Sequence, residues 1–164
     1  DYITWEKRLD GRLAGALIGV QAIKGVEIGL GFDVAKQRGS KVHDEILPGE
    51  GAWPFYRPTN NAGGIEGGMT NGEPIIIRCA MKPIPTLMVP LKSVELATLT
   101  PCEAHSERSD VCAVPAASVV GEAMVCYVLA DTLLETFGGA HIDDLIESIS
   151  ARQNRARKLW GSTL

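Results

Sequence analysis

Three polar segments contain the residues best suited to bind a ligand. The first, residues 60–74, reads NNAGGIEGGMTNGEP and holds five glycines. A backbone with so few side chains exposes N–H groups that can come close to a flat or anionic ligand. A glycine-rich connection between two strands explains the same composition, and the residues alone leave both interpretations open.

The second segment is KPIPT, residues 82–86, which follows an apolar run directly. Its two prolines hold the backbone in an extended form, so Lys82 projects from a rigid mount and Thr86 adds a hydroxyl. A rigid ammonium is suited to bind a phosphate or a carboxylate. A solvated lysine at the end of a strand is the alternative.

The third segment is ERSDVCAVP, residues 107–115, just before a long apolar stretch. Arg108 can bind a phosphate or carboxylate through its planar fork of donors. Asp110, if partly desolvated, can accept a proton. The alternative is a helix-entry turn in which Arg108 and Asp110 pair with each other or with solvent.

Nucleotide-binding patterns fail in the glycine segment. Gly63, Gly68 and Thr70 have the spacing of a phosphate-binding loop, but Met69 occupies the position of the required lysine. The dinucleotide pattern fails by its spacing. The sequence therefore argues against a nucleoside triphosphatase.

Two further site types receive little support. A zinc site built from Cys102, His105 and Cys112 lacks a convincing fourth ligand. A hydrolase triad of Ser109, His105 and Asp110 needs a geometry that near neighbours in sequence rarely achieve. His43 and His141 are predicted to be surface residues. The four cysteines, with no CxxC pair, are predicted to be free thiols in buried or half-buried positions: Cys79, Cys102, Cys112 and Cys126.

The composition is that of one globular domain. The chain has 164 residues, 45% hydrophobic content and a formal net charge of -4, so broad nucleic-acid binding is not expected. No uninterrupted apolar run approaches the roughly 18 residues of a membrane span, so none is predicted.

Hydrophobic periodicity predicts an α+β fold, since a run of strands stands beside runs of helices. The 40–74 region has little periodic signal, and residues 100–110 are expected to be irregular. Helix 114–137, with Pro115 in its first turn and Gly138 at its stop, is expected to be largely buried. The predicted elements are a helix over 4–23, strands over 24–31, 73–81 and 87–99, and helices over 114–137 and 141–160.

Four segments in the same order resemble the C-terminal part of the chorismate synthase family. They are QAIKGVEIG (21–29), TNNAGGIEGGMTNGEPI (59–75), AMKPIPT (80–86) and RSDVCAVPAASVVGEAM (108–124). The resemblance implies a β-α-β sandwich, of which residues 1–164 form the C-terminal part of a single domain. Residues 40–72 and 100–110 are then expected to be mobile active-site loops.

The resemblance also implies an activity. Members of this family are lyases of the shikimate pathway, which leads to the aromatic amino acids. They eliminate phosphate from 5-enolpyruvylshikimate 3-phosphate, in an anti-1,4 sense, to give chorismate. The reaction requires reduced FMN without net redox change, and the flavin is reduced by an NADP-linked activity of the enzyme or by an external source. A cytoplasmic homotetramer that binds neither nucleic acid nor membrane is expected.

Motif matching assigns roles within this chain. Arg108 is expected to bind both the flavin and the substrate. Asp110 matches the family acid near flavin N5, where it would assist proton removal. The residues expected to contact the flavin are Gln21, Ala22, Gly67, Lys82, Pro83, Ile84, Pro85, Thr86 and Arg108.

The family's two catalytic histidines and most of its substrate arginines belong to an N-terminal part that has no counterpart here. This chain alone is therefore expected to have no useful activity, and the missing N-terminal part is an expected partner. Two other functions stay open: a non-catalytic, self-associating α+β module, and a different protein that binds a flavin or a phosphorylated ligand.

Overall fold

The computed structural model describes residues 3–49, 53–107 and 112–161. It is an α+β arrangement of helices and small antiparallel sheets, as predicted. Short 3-10 turns occupy Trp5–Lys7 and Gly31–Lys36. The helices are α1 (Leu9–Ile18), α2 (Gly39–Val42), α3 (Val114–Phe137) and α4 (Ile142–Gly161), and the strands are β1 (Ile23–Ile28), β2 (Leu47–Pro48), β3 (Phe55–Tyr56), β4 (Ile65–Glu66), β5 (Met69–Thr70), β6 (Ile77–Met81), β7 (Lys92–Glu95) and β8 (Thr100–Glu103).

The α1 helix is shorter than the predicted span of 4–23. Leu9, Leu13 and Leu17 are buried along one face at a spacing of four residues, as an amphipathic helix requires. The helix ends before Gly19, and the chain then turns through Ala22, whose φ is +66°. A left-handed residue cannot continue a right-handed helix, so α1 cannot extend through Ala22 to the predicted end at residue 23.

The strands β1 and β6 form the sheet on which α1 packs. They pair antiparallel, with Ile23 opposite Met81 and Ile28 opposite Ile77. The β6 strand starts at Ile77, four residues later than predicted. The core lies between this sheet, α1 and α3, and its buried members are Leu9, Leu13, Ile65 and Val128.

Two predictions of irregular structure were wrong. The 40–74 region contains the short hairpins β2–β3 and β4–β5. Residues 100–103 form β8, which pairs with β7 so that Lys92 faces Glu103 and Glu95 faces Thr100. Pro101 concealed this strand, but proline is tolerated in a two-stranded hairpin because both strands are edges.

The α3 helix has the predicted bounds but not the predicted burial. Gly138 ends it with φ of +64°, and its N–H donates to the Leu134 carbonyl at 2.8 Å. Val128 is the only buried residue of the helix, whereas Val119 is 66% and Tyr127 70% exposed. Within the described residues α1 covers only one face of it, and Arg12 of α1 binds three side chains on it: Asp131, Thr132 and Glu135.

By length and composition alone, α3 is long and apolar enough to cross a membrane, although no continuous apolar run predicted it. It carries three acidic side chains, Glu122, Asp131 and Glu135, and Arg12 pairs with two of them. The α4 helix begins and ends one residue later than the predicted span of 141–160.

Candidate functional site

Two segments predicted to contact one ligand meet at the start of the β1–β6 sheet. Because Ile23 pairs with Met81, the residues just before β1 and just after β6 are neighbours. The Lys82 backbone N–H donates to the Ala22 carbonyl at 2.7 Å. We call this site the proline corner and define it as Gln21, Ala22 and residues 82–86.

The proline corner presents polar groups on a stiff backbone. Gln21 and Lys82 are exposed, as are Pro83 and Pro85, whereas Ile84 and Thr86 are half-buried. Within the described residues the Lys82 ammonium makes no ion pair.

Ala22 is held in a left-handed conformation that costs an L-residue on the order of 1–2 kcal/mol. Strained backbone of this kind is concentrated at binding sites, where the surrounding structure holds it in place. The corner therefore offers a lysine on a stiff backbone, whose ammonium makes no ion pair with the described residues, next to a fixed turn.

Gly67 lies elsewhere in the chain. It is exposed in the turn between β4 and β5, and the carbonyl of its neighbour Gly68 accepts the Leu9 N–H at 2.9 Å. Leu9 begins α1, whereas Gln21 follows its end, and a ten-residue helix rises about 15 Å. Within this chain, Gly67 and the proline corner lie at opposite ends of α1, so the role of Gly67 in the same site stays a prediction.

The glycine segment comes close to the protein's own backbone. A Cβ at Gly63 would lie 2.5 Å from the Gly29 Cα, and a Cβ at Gly64 would lie 2.5 Å from the Pro74 carbonyl oxygen. Gly67 differs, since a Cβ there would meet no atom within 4 Å. Close packing within the chain therefore accounts for Gly63 and Gly64, whereas the space beside Gly67 is open.

A polar network missed by the sequence analysis fixes the glycine segment. The Asp44 carboxylate accepts hydrogen bonds from the Thr59 hydroxyl at 2.6 Å and from the N–H groups of Asn61 and Ala62 at 2.7 and 2.9 Å. The Asn60 side chain makes two further hydrogen bonds: it donates to the Pro74 carbonyl and accepts from the Gly64 N–H, both at 2.8 Å. The place of Asn60 in a turn-rich segment was a signal for its bond to nearby backbone, whereas Asp44 bonds residues 15 to 18 positions away, which no local pattern marks.

This setting changes the pKa of Asp44. Burial raises the pKa, but the hydrogen bonds from Thr59, Ala62 and Asn61 and the charge of Arg57 outweigh it, so the pKa lies below its ordinary value. Asp44 is therefore a carboxylate that organises the loop at neutral pH. It is not poised as a proton donor or acceptor.

Arg57 extends the network to the turn that contains Gly67. Its guanidinium pairs with the Glu66 carboxylate at 2.8 Å and donates to the Asp44 carbonyl at 3.3 Å. The Asn71 amide also donates to Glu66, at 2.9 Å. The residue that precedes Gly67 is thus held from two sides.

An apolar groove of about 420 Å³ runs between α3 and the β1–β6 sheet. Cys79 lies on its wall, where partial desolvation of its sulfur raises the pKa of that thiol although the residue as a whole is exposed. The four cysteines are free, as predicted, but all are exposed, so their predicted burial was wrong. The described residues contain no group of three or more histidine, cysteine or acidic side chains placed to hold a metal ion.

Arg108, Ser109 and Asp110 lie outside the described residues. The predicted roles of Arg108 in binding and of Asp110 in proton transfer therefore stay predictions. His105 lies within the described chain, where its ring is close to the Glu107 carboxylate at 3.2 Å.

Comparison with known proteins gives a consistent result. A family profile described as chorismate synthase matches residues 2–134. A chorismate synthase from Desulforudis audaxviator is 60% identical over 147 residues, covering 90% of this chain and 37% of the relative. One from Trichlorobacter lovleyi is 56% identical over 167 aligned residues, covering 98% of this chain and 41% of the relative.

A solved structure agrees with the sequence matches. A crystal structure of chorismate synthase superimposes with a TM-score of 0.76 and 46% identity, covering 96% of this chain and 39% of that chain. This chain thus spans about two fifths of the length of the relatives that it matches.

Proposed function

The chain belongs to the chorismate synthase family, and we propose that it supplies the flavin-binding part of a lyase. The proposed reaction is the anti-1,4-elimination of phosphate from 5-enolpyruvylshikimate 3-phosphate to give chorismate, with reduced FMN as cofactor. The proposed setting is the shikimate pathway in the cytoplasm. The observation that carries this proposal is the proline corner, where two family motifs meet through the hydrogen bond between Lys82 and Ala22.

The proline corner fits a flavin mononucleotide in charge and shape. FMN carries a phosphate, and Lys82 offers an exposed ammonium that makes no ion pair with the described residues. FMN also carries a planar ring, and the two prolines of KPIPT keep a stretch of backbone extended for a flat ligand to lie against. We assign the contacts with the flavin to Gln21, Ala22, Gly67, Lys82, Pro83, Ile84, Pro85, Thr86 and Arg108.

Bound reduced FMN supplies an electron-rich ring beside the substrate in a reaction with no net redox change. The chain's own residues bind, orient and move a proton. We propose that Arg108 binds an anionic group of the substrate through its fork of donors, and that Asp110 assists proton removal near flavin N5 after the C6 hydrogen has left the substrate. Lys82 binds the cofactor in a defined position, so that the cofactor and the substrate meet in a reactive orientation.

We further propose that this chain needs additional residues for turnover. The described histidines lie close to acidic residues: His43 lies beside Asp44, and the rings of His105 and His141 are close to the Glu107 and Asp143 carboxylates. A substrate with a phosphate and two carboxylates requires more cations than Lys82 and Arg108. A site that lacks part of its preorganised charge loses most of its catalysis. We propose that the missing residues come from an N-terminal part of the same polypeptide and that the enzyme is a homotetramer.

An anaerobic assay with reduced FMN and the enolpyruvyl substrate tests this function. The parent polypeptide, defined as the longest natural chain that contains this sequence, should release phosphate and form chorismate in equal amounts. If it is longer than 164 residues, the 164-residue chain should form none. The absence of chorismate with the parent polypeptide would contradict the proposed function. Equal activity of the 164-residue chain would contradict only the need for further residues.

Binding without turnover would separate the other two functions. A self-associating module would leave the fluorescence of added FMN unchanged at high protein concentration. Another flavin-binding protein would quench that fluorescence, but the enolpyruvyl substrate would not alter the spectrum of the bound flavin.

A further inference from the structure

We propose that Arg57 is a positioning residue that sets the Gly67 turn for flavin binding. This inference rests on the proposed function, because Gly67 is one of the residues assigned to the flavin. Arg57 itself is not assigned a contact with any ligand. It acts through Glu66, which directly precedes Gly67.

Arg57 joins two parts of the chain, and we call its contacts with Glu66 and the Asp44 carbonyl the Arg57 clamp. Its guanidinium reaches Glu66 at 2.8 Å on one side and the Asp44 carbonyl at 3.3 Å on the other. Its side chain is only 13% exposed, whereas that of Glu66 is 46% exposed. A guanidinium so far removed from water needs such partners, so its position is tightly determined.

The hairpin itself gives the turn little support, although the Gly68 carbonyl also accepts the Leu9 N–H at 2.9 Å. The strands β4 and β5 have two residues each, and a short two-stranded hairpin is marginal in water. Asn71 donates to Glu66 at 2.9 Å, and its own side-chain oxygen accepts the Glu73 N–H at 3.0 Å. The Glu66 carboxylate is therefore fixed by Arg57 and Asn71 together, and this fixes the backbone entering Gly67.

The clamp also joins the turn to the rest of the glycine segment. Asp44 presents its carbonyl to Arg57 and its carboxylate to the N–H groups of Asn61 and Ala62. A displacement of Arg57 would therefore disturb both the Gly67 turn and the backbone at residues 61–62. The effect of this network on the flavin would be exerted through Gly67.

The chain offers a matched control pair. Arg78 also pairs with a glutamate, Glu27, at 3.0 Å, and also donates to a backbone carbonyl, that of Leu30, at 2.9 Å. Arg78→Met removes the same two kinds of contact without touching the turn, from a side chain that is 52% exposed where that of Arg57 is 13% exposed. Comparing it with Arg57→Met separates a general loss of stability from a loss of positioning.

The experiment measures FMN affinity of the parent polypeptide by fluorescence quenching, well below each variant's melting temperature. Arg57→Met should weaken FMN binding at least tenfold, Arg57→Lys should restore part of the loss, and Arg78→Met should stay within twofold of the wild type. Should Arg57→Met fail to fold, Glu66→Gln takes its place, because it keeps the shape and removes the charge; a loss of at least threefold supports the proposal.

Each outcome has a distinct meaning. If the wild type does not bind FMN, the proposed function fails. If the wild type binds FMN and both Arg57→Met and Glu66→Gln bind it within twofold of the wild type, the positioning role is overturned while the proposed function stands. The role is also overturned if Arg78→Met weakens binding as much as Arg57→Met does.

Discussion

The two ends of α1 and β1 are built in opposite ways. At the glycine end, the chain bonds to itself: the Leu30 N–H donates to the Asn61 carbonyl at 2.9 Å, and the Ile76 N–H donates to the Gly63 carbonyl at 3.1 Å. At the proline corner, one hydrogen bond joins Lys82 to Ala22, and the Lys82 ammonium projects from the surface.

This difference shows that a backbone segment with few side chains is not necessarily accessible to a ligand. Gly63 and Gly64 are buried against other backbone, so their missing side chains make room for the protein itself. The prolines after Lys82 stiffen the backbone that carries this exposed lysine. The rigid end without glycines is therefore the better candidate for recognising an anion.

The largest expected effect contrasts two glycines of the same segment. Gly63→Ala places a methyl group 2.5 Å from the Gly29 Cα at a φ of +65°, and it should lower the free energy of unfolding by roughly 2–4 kcal/mol. Gly67 also has a positive φ, but the space beside it is open. Gly67→Ala should therefore lower the free energy of unfolding by only about 1 kcal/mol. Urea denaturation of both variants is the measurement, and equal losses would refute the contrast.

The second prediction concerns the ammonium of the proline corner. Lys82→Ala should weaken FMN binding by roughly 10- to 100-fold, because a charge-assisted hydrogen bond contributes about 1.5–3 kcal/mol. Lys92→Ala, an exposed lysine of β7, is the matched control and should leave the affinity unchanged. Fluorescence titration of the parent polypeptide provides the comparison. Equal affinities of the two variants would remove Lys82 from the site.

The third prediction tests the carboxylate that organises the glycine end. Asp44→Asn should lower the free energy of unfolding at pH 7 by about 1 kcal/mol, a modest figure because Asp44 is only half-buried. The pKa of Asp44 is lowered in the folded chain, so its contribution is complete above the ordinary value of 3.8 and declines as the pH falls below it. Unfolding measured between pH 7 and pH 3 should show the difference shrinking on acidification. A difference that grows instead would contradict the sign.

The smallest expected effect is at Ala22. Glycine adopts its φ of +66° without steric cost, so Ala22→Gly should change the free energy of unfolding by less than about 1 kcal/mol, on the stabilising side. Ala22→Val should be destabilising, since a β-branched residue tolerates this conformation poorly. Thermal unfolding of the pair decides the point, and a destabilised glycine variant would argue against a strained turn.

The bounds of α3 were predictable because local signals set them. Pro115 and Gly138 fix its start and stop, and each acts within a few residues. Its burial was not predictable, because burial depends on which elements pack against it. Strand β8 was missed for a local reason, since Pro101 obscured its pattern.

The parts of the candidate site also differ in whether the sequence could predict them. The residue types at Lys82 and Gly67 drew attention in the sequence, but only the register of Ile23 with Met81 brings Lys82 to Ala22. Asp44 and Arg57 act on residues nine to eighteen positions away in sequence, and no motif marks such contacts.

The proposal that the proline corner binds flavin is tested most directly by hydrogen exchange of the parent polypeptide with and without reduced FMN. Protection is predicted in peptides covering residues 21–22 and 82–86, with no change in the β7–β8 hairpin. Flavin binding that leaves both of those segments unprotected would contradict the account.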